Sequence, residues 1–90
     1  GHSFEVDVWS LGVIMYTLLF GKPPFETSDI KETYRLIRSS TYRFPTIPVV
    51  SVAATEMIAS MLQVDPLKRP TILQLRAHSF LTNEGIPRSL

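Results

Sequence analysis

About residues 6–20 form a stretch that is apolar on nearly every side when wound as a helix. Val8, Trp9, Leu11, Val13, Ile14, Met15, Leu18 and Leu19 leave it no continuous polar face. A helix of that kind belongs at the centre of a fold, covered all round. Gly21 stands where such a helix must stop, and Pro23 and Pro24 lie just beyond. The apolar run is interrupted by Ser10, Gly12, Tyr16 and Thr17. It is shorter than the roughly 20 residues a membrane-spanning helix needs. Glu5 and Asp7 precede it, whereas a secretory signal carries basic residues there. The run reads as a buried helix, with no membrane partner.

Three further helices follow from local signals. Thr27, Ser28 and Asp29 supply capping residues for a second helix. Ile30, Tyr34 and Ile37 make its apolar stripe, and Lys31, Glu32, Arg35 and Arg38 take the wet side. This helix is amphipathic and superficial. Residues 39–50 form an extended connection, because Pro45 and Pro48 prevent helix there. Tyr42 and Phe44 alternate with Arg43 and pin the connection to the core. A third helix begins near Ser51, with Ala54, Ile58, Met61 and Leu62 on its buried face. Asp65-Pro66 starts a tight turn that Pro70 ends. Thr71 to Gln74 matches a capping box, so a fourth helix starts there and ends before Asn83, carrying Ile72, Leu75 and Phe80 inward. Residues 85–90 read as a tail. No stretch shows the alternation of paired strands. The fold class is therefore all-α, with about four helices. Three amphipathic partners are too few to cover the first helix on all sides, which points to a piece of a larger domain.

Composition removes several classes of function. Hydrophobic residues make up 44% of 90, a globular level. The net charge is +1, from nine basic and eight acidic residues, which gives no electrostatic case for nucleic acid. There is no cysteine, so disulfides, cysteine zinc sites and thiol nucleophiles are excluded. His2 and His78 have no neighbouring ligand set for a metal. Glu5 and Asp7 are two apart and do not share a helix face. Lys22, Lys31, Arg35 and Arg38 make a basic face, either for a partner or acidic substrate or, more simply, a solvated one. Ser and Thr are frequent, but none has an activating constellation. No catalytic, cofactor-binding or metal-binding residue emerges.

Four motifs then occur in a fixed order. Asp7-Val8-Trp9-Ser10-Leu11-Gly12 resembles the D-x-W-S-x-G signature of eukaryotic protein kinases. Gly21-Lys22-Pro23-Pro24-Phe25 resembles their G-x-x-P-F turn. Met61-Leu62-Gln63-Val64-Asp65-Pro66-Leu67-Lys68-Arg69-Pro70-Thr71 resembles M-L-x-x-D-P-x-x-R-P-T. His78-Ser79-Phe80 resembles H-P-F, with Ser79 in place of proline. Each alone is weak. Together, collinear and spanning nearly the whole chain, they are specific. The stretches around Gly1 to Ser10, Gly21 to Ser28, Lys31 to Tyr34 and Gly85 to Arg88 resemble polo-like Ser/Thr kinases in particular.

The resemblance implies that residues 1–90 are a partial kinase domain, the helical part of the large lobe after the A-P-E segment. The Gly-rich loop, strand lysine, H-R-D and D-F-G motifs of the family are not among these residues. ATP and Mg are then expected in the parent kinase, and protein substrates as its partners. The fragment itself is expected to hold no cofactor, to be catalytically inactive and to supply scaffold and substrate-side surface. By resemblance, Asp7 and Trp9 brace the catalytic loop. Arg69 forms an ion pair with the glutamate of the activation segment. Ile14 and Leu18 anchor the hydrophobic column, and neutral Thr17 sits on the substrate side, against basic-directed specificity. Gly12 permits close helix approach. In the fragment, Asp7 is expected to face solvent or the helix's own amides, and Arg69 to be solvent-exposed. Self-association is expected, since the missing N-terminal part of the kinase domain is the natural cover of the first helix. Localisation follows the family: intracellular, in cytoplasm, nucleus or at the centrosome and spindle. The alternative is a stand-alone helical interaction module derived from such a lobe.

Overall fold

The computed structural model describes residues 3–78, 80 and 81. The expected tail, His2, Ser79 and the helix end near Asn83 lie outside the described residues. Among those described, the fold is all-helical, in the order α1 (Phe4–Phe20), α2 (Ile30–Ser39), α3 (Val52–Met61), a 3-10 turn (Pro66–Lys68) and α4 (Ile72–Arg76).

α1 starts two residues earlier than its apolar run, because the Ser3 hydroxyl accepts from the Val6 N–H at 3.3 Å and caps the first turn. Gly21 ends it at φ 82°, a left-handed value that suits glycine, and its N–H closes on the Thr17 carbonyl. Asp29 caps α2 and Ser51 caps α3, each through its side chain. Asp65 accepts from the Leu67 N–H, with Pro66 opening the 3-10 turn. Thr71 and Gln74 form the reciprocal capping box of α4.

α1 packs chiefly on α3. Gly12 sets the separation: a Cβ there would lie 2.9 Å from Met61 Cβ and 3.0 Å from Leu62 Cδ2. Two core clusters meet at this contact. One joins Val8 to Met57, Met61 and Leu75, with Phe80 and Leu81 against it. The other joins Tyr16 and Phe20 to Ile58 and Leu62, with Tyr42, Phe44 and Val50 against it. The loop after α2 is held by its aromatic residues. Tyr16 lies 5.9 Å from Phe44 between ring centres, and its hydroxyl donates to the Arg43 carbonyl at 2.5 Å. Burial pushes the hydroxyl pKa of Tyr16 up. That of Tyr42 rises through burial and then through Tyr16 beside it.

Three expectations are corrected. α4 stops at Arg76, so Phe80 reaches the core from beyond that helix. Ile72 is exposed, because it faces a groove that no other element among the described residues fills. On α2, Ile30 and Tyr34 are exposed, and only Ile37 of the stripe is half-buried. α2 is tied to the preceding loop by Thr33, whose hydroxyl meets Thr27, and to α3 by the turn that ends it. There Ser40, at φ 48°, donates its hydroxyl to the Leu62 carbonyl at 2.6 Å.

Candidate functional site

Two surfaces carry the residues singled out from the sequence. The first is a groove of about 550 Å³ along α1, lined by Leu11, Ile14, Leu18, Met57, Ile72 and Phe80 among others. Its walls are almost wholly apolar, with Arg76 at the edge. Ile14 is 53% exposed and Leu18 79%. Neither is core within this chain. A one-turn spacing of branched side chains on an open face can bind apolar groups, but it offers nothing to a phosphate or a metal. Among the described residues, no group of three or more His, Cys, Asp or Glu is placed to hold a metal ion. None of their helices is long and apolar enough to cross a membrane.

The second surface lies where α1, α2 and the turn after α3 converge. A pocket of about 230 Å³ is lined by Val6, Trp9, Ile37, Arg38, Ser40, Val64 and Arg69. Trp9 is half-buried and stacks on Phe25 at 5.6 Å with rings nearly parallel. Arg69 is not simply exposed, contrary to expectation. Its Nε donates to the Gln63 carbonyl at 2.8 Å and its Nη1 to the Glu5 carbonyl at 2.9 Å, across 64 residues of chain. Nη2 reaches the Val64 carbonyl at 3.5 Å. The guanidinium thus ties the first turn of α1 to the turn before Pro66. Burial lowers its pKa, and the nearby charges of Glu5 and Asp65 act the other way. No carboxylate forms an ion pair with Arg69 among the described residues.

The remaining candidates are placed separately. Asp7 is exposed in the first turn of α1. Thr17 is half-buried, and its hydroxyl donates back to the Val13 carbonyl at 2.8 Å. The expected basic face does not form one patch. Arg35 is paired with Glu32 at 2.5 Å, Lys22 lines a pocket with Tyr16 and Pro45, and Arg38 turns to the Trp9 pocket. The sequence groups Arg38 with that basic face as a whole. Its position in the last turn of α2, just before the Ser40 bend, is the signal that separates it from the others.

The helical arrangement and its open central helix now meet an independent finding. The description "Protein kinase domain" matches residues 1–81, and the chain belongs to that family. Over its whole length it is 51% identical to a probable serine/threonine-protein kinase PLK of Dictyostelium discoideum. It is 52% identical to the serine/threonine-protein kinase PLK1 of Xenopus laevis and 48% to the serine/threonine-protein kinase polo of Drosophila melanogaster. The chain spans 9% of the first relative and 15% of the other two.

Proposed function

We propose that residues 1–90 are the helical closing part of the large lobe of a polo-like Ser/Thr protein kinase. The parent transfers the ATP γ-phosphate to protein Ser and Thr in cell-cycle control, in the cytoplasm, the nucleus or at the spindle. The observation that carries this reading is the identity of about half of all positions to polo-like kinases, spread over the entire chain. Among the described residues the groove on α1 is apolar and no group of carboxylates is placed to hold a metal ion, which supports placing ATP and Mg elsewhere. Those groups belong to other parts of the parent, and the chain alone neither binds nucleotide nor turns it over.

Its residues act as scaffold. Asp7 and Trp9 brace the catalytic loop, Ile14 and Leu18 anchor the apolar column, and Thr17 faces the substrate side. Arg69 takes a carboxylate from the segment that precedes residue 1, a geometry to which arginine is suited. Without that cover the groove on α1 is an apolar patch of the kind that finds partners, and the isolated chain self-associates through it.

The test is an exchange of residues 1–90 for the matching stretch of the Xenopus laevis kinase. The chimera is expected to phosphorylate casein with kcat/KM within about tenfold of the parent, about 1.4 kcal/mol in barrier. The isolated chain is expected to show no heat on titration with Mg-ATP. A folded but inactive chimera, or turnover by the chain alone, would overturn the reading. A free-standing interaction module is the second reading, since the same open groove would serve it. It gains if the chimera fails and the chain is a folded monomer in light scattering.

A further inference from the structure

The geometry points to a two-arginine carboxylate pocket, in which Arg38 of α2 is the second cation beside Arg69 and the Trp9 indole forms part of the wall. This rests on the reading above that Arg69 takes a carboxylate, and adds to it a residue from a different helix. Three observations carry it. Both guanidinium-bearing residues line the same small pocket with Trp9. Arg69 spends three donors on the carbonyls of Glu5, Gln63 and Val64. Of the five N–H donors of an arginine, one on each terminal nitrogen is then left, the number a bidentate carboxylate takes. Arg38 is exposed and has no hydrogen bond or ion pair among the described residues, whereas Arg35 one turn earlier is occupied by Glu32.

The acids near Arg69 are Glu5 and Asp65, and their charges oppose a third carboxylate. Arg69 alone stands against both. A second cation across the pocket restores the balance in favour of the anion. Ser40 holds Arg38 in place, because its hydroxyl bond to the Leu62 carbonyl fixes the end of α2 against the end of α3. The partner is a single Glu or Asp side-chain carboxylate of a peptide segment, small enough to enter about 230 Å³.

Trp9 is the chain's single tryptophan and lines this pocket, so a change in its fluorescence can be assigned to one residue there. The probe is a tripeptide capped at both ends with one glutamate, titrated at constant ionic strength against its glutamine counterpart. The glutamate peptide is expected to give a saturable change and the glutamine peptide none. Arg38→Gln, an exposed change that leaves the helical circular dichroism intact, is expected to weaken binding about tenfold, or 1.4 kcal/mol. Arg38→Lys is expected to recover part of that loss, and Arg69→Gln to abolish binding. If Arg38→Gln titrates like the parent while Arg69→Gln does not bind, the two-arginine pocket is wrong and the role of Arg69 stands. If neither peptide perturbs Trp9, or both do equally, both ideas fall.

Discussion

Val8, Gly12, Tyr16 and Phe20 descend one side of α1, and Leu11, Ile14 and Leu18 descend another. The second row is the more hydrophobic of the two, yet the first is buried and the second exposed. The covered row meets α3 and the aromatic loop, whose side chains match it in shape. The open row meets a groove that no element among the described residues fills. Hydrophobic character alone therefore does not locate the core of this chain. The core lies where a second element approaches closely, and Gly12 is what allows that approach.

Substitutions on the two rows should separate in a fixed order. Ile58→Ala removes a side chain with 0% exposure from the covered side, and should cost about 2–5 kcal/mol in urea unfolding at low protein concentration. Gly12→Ala adds one methyl against Met61 Cβ, which belongs to the α3 stem and cannot swing aside. About 1–3 kcal/mol is expected, and a stabilised variant would mean that the helices are not in close contact. Tyr16→Phe keeps the ring cluster and strips the Arg43 carbonyl of its donor, a loss of about 1 kcal/mol in the same assay. Leu18→Gln on the open row should change stability by no more than about 0.5 kcal/mol and reduce self-association in light scattering. A large stability loss there would show that the groove is filled within one chain. Smallest is the surface pair on α2. The Glu32 carboxyl is held below the usual carboxylate range by its hydrogen bond to Arg35. A depressed carboxylate stabilises above its unfolded pKa and loses that contribution as pH falls through its folded value. Glu32→Gln and the parent should therefore differ slightly at neutral pH and coincide in strong acid.

The same contrast explains what could be read in advance. Helix limits set by neighbours in sequence were legible: the caps at Asp29, Ser51 and Thr71, the stop at Gly21 and the turn at Asp65-Pro66. Ser3 was missed as a cap because the apolar run begins only after it. The pins Tyr42 and Phe44 were legible because large rings alternating with a charge have one way to bury. Ile72, Ile30 and Tyr34 were read as ordinary apolar faces, but a stripe in the sequence does not say whether a neighbour covers it. Arg69 was least legible, since its bond to the Glu5 carbonyl joins distant parts of the chain and involves main-chain acceptors that no residue type announces. Arg38 shares that difficulty. Its neighbour across the pocket is a matter of where α2 ends.

The missing methyl at Gly12 has a mechanical side. With Met61 and Leu62 close against the backbone of α1 at Gly12, the two helices have little slack at that one crossing point. A shift of α3 at that point has to be taken up by α1, the helix that carries Ile14 and Leu18.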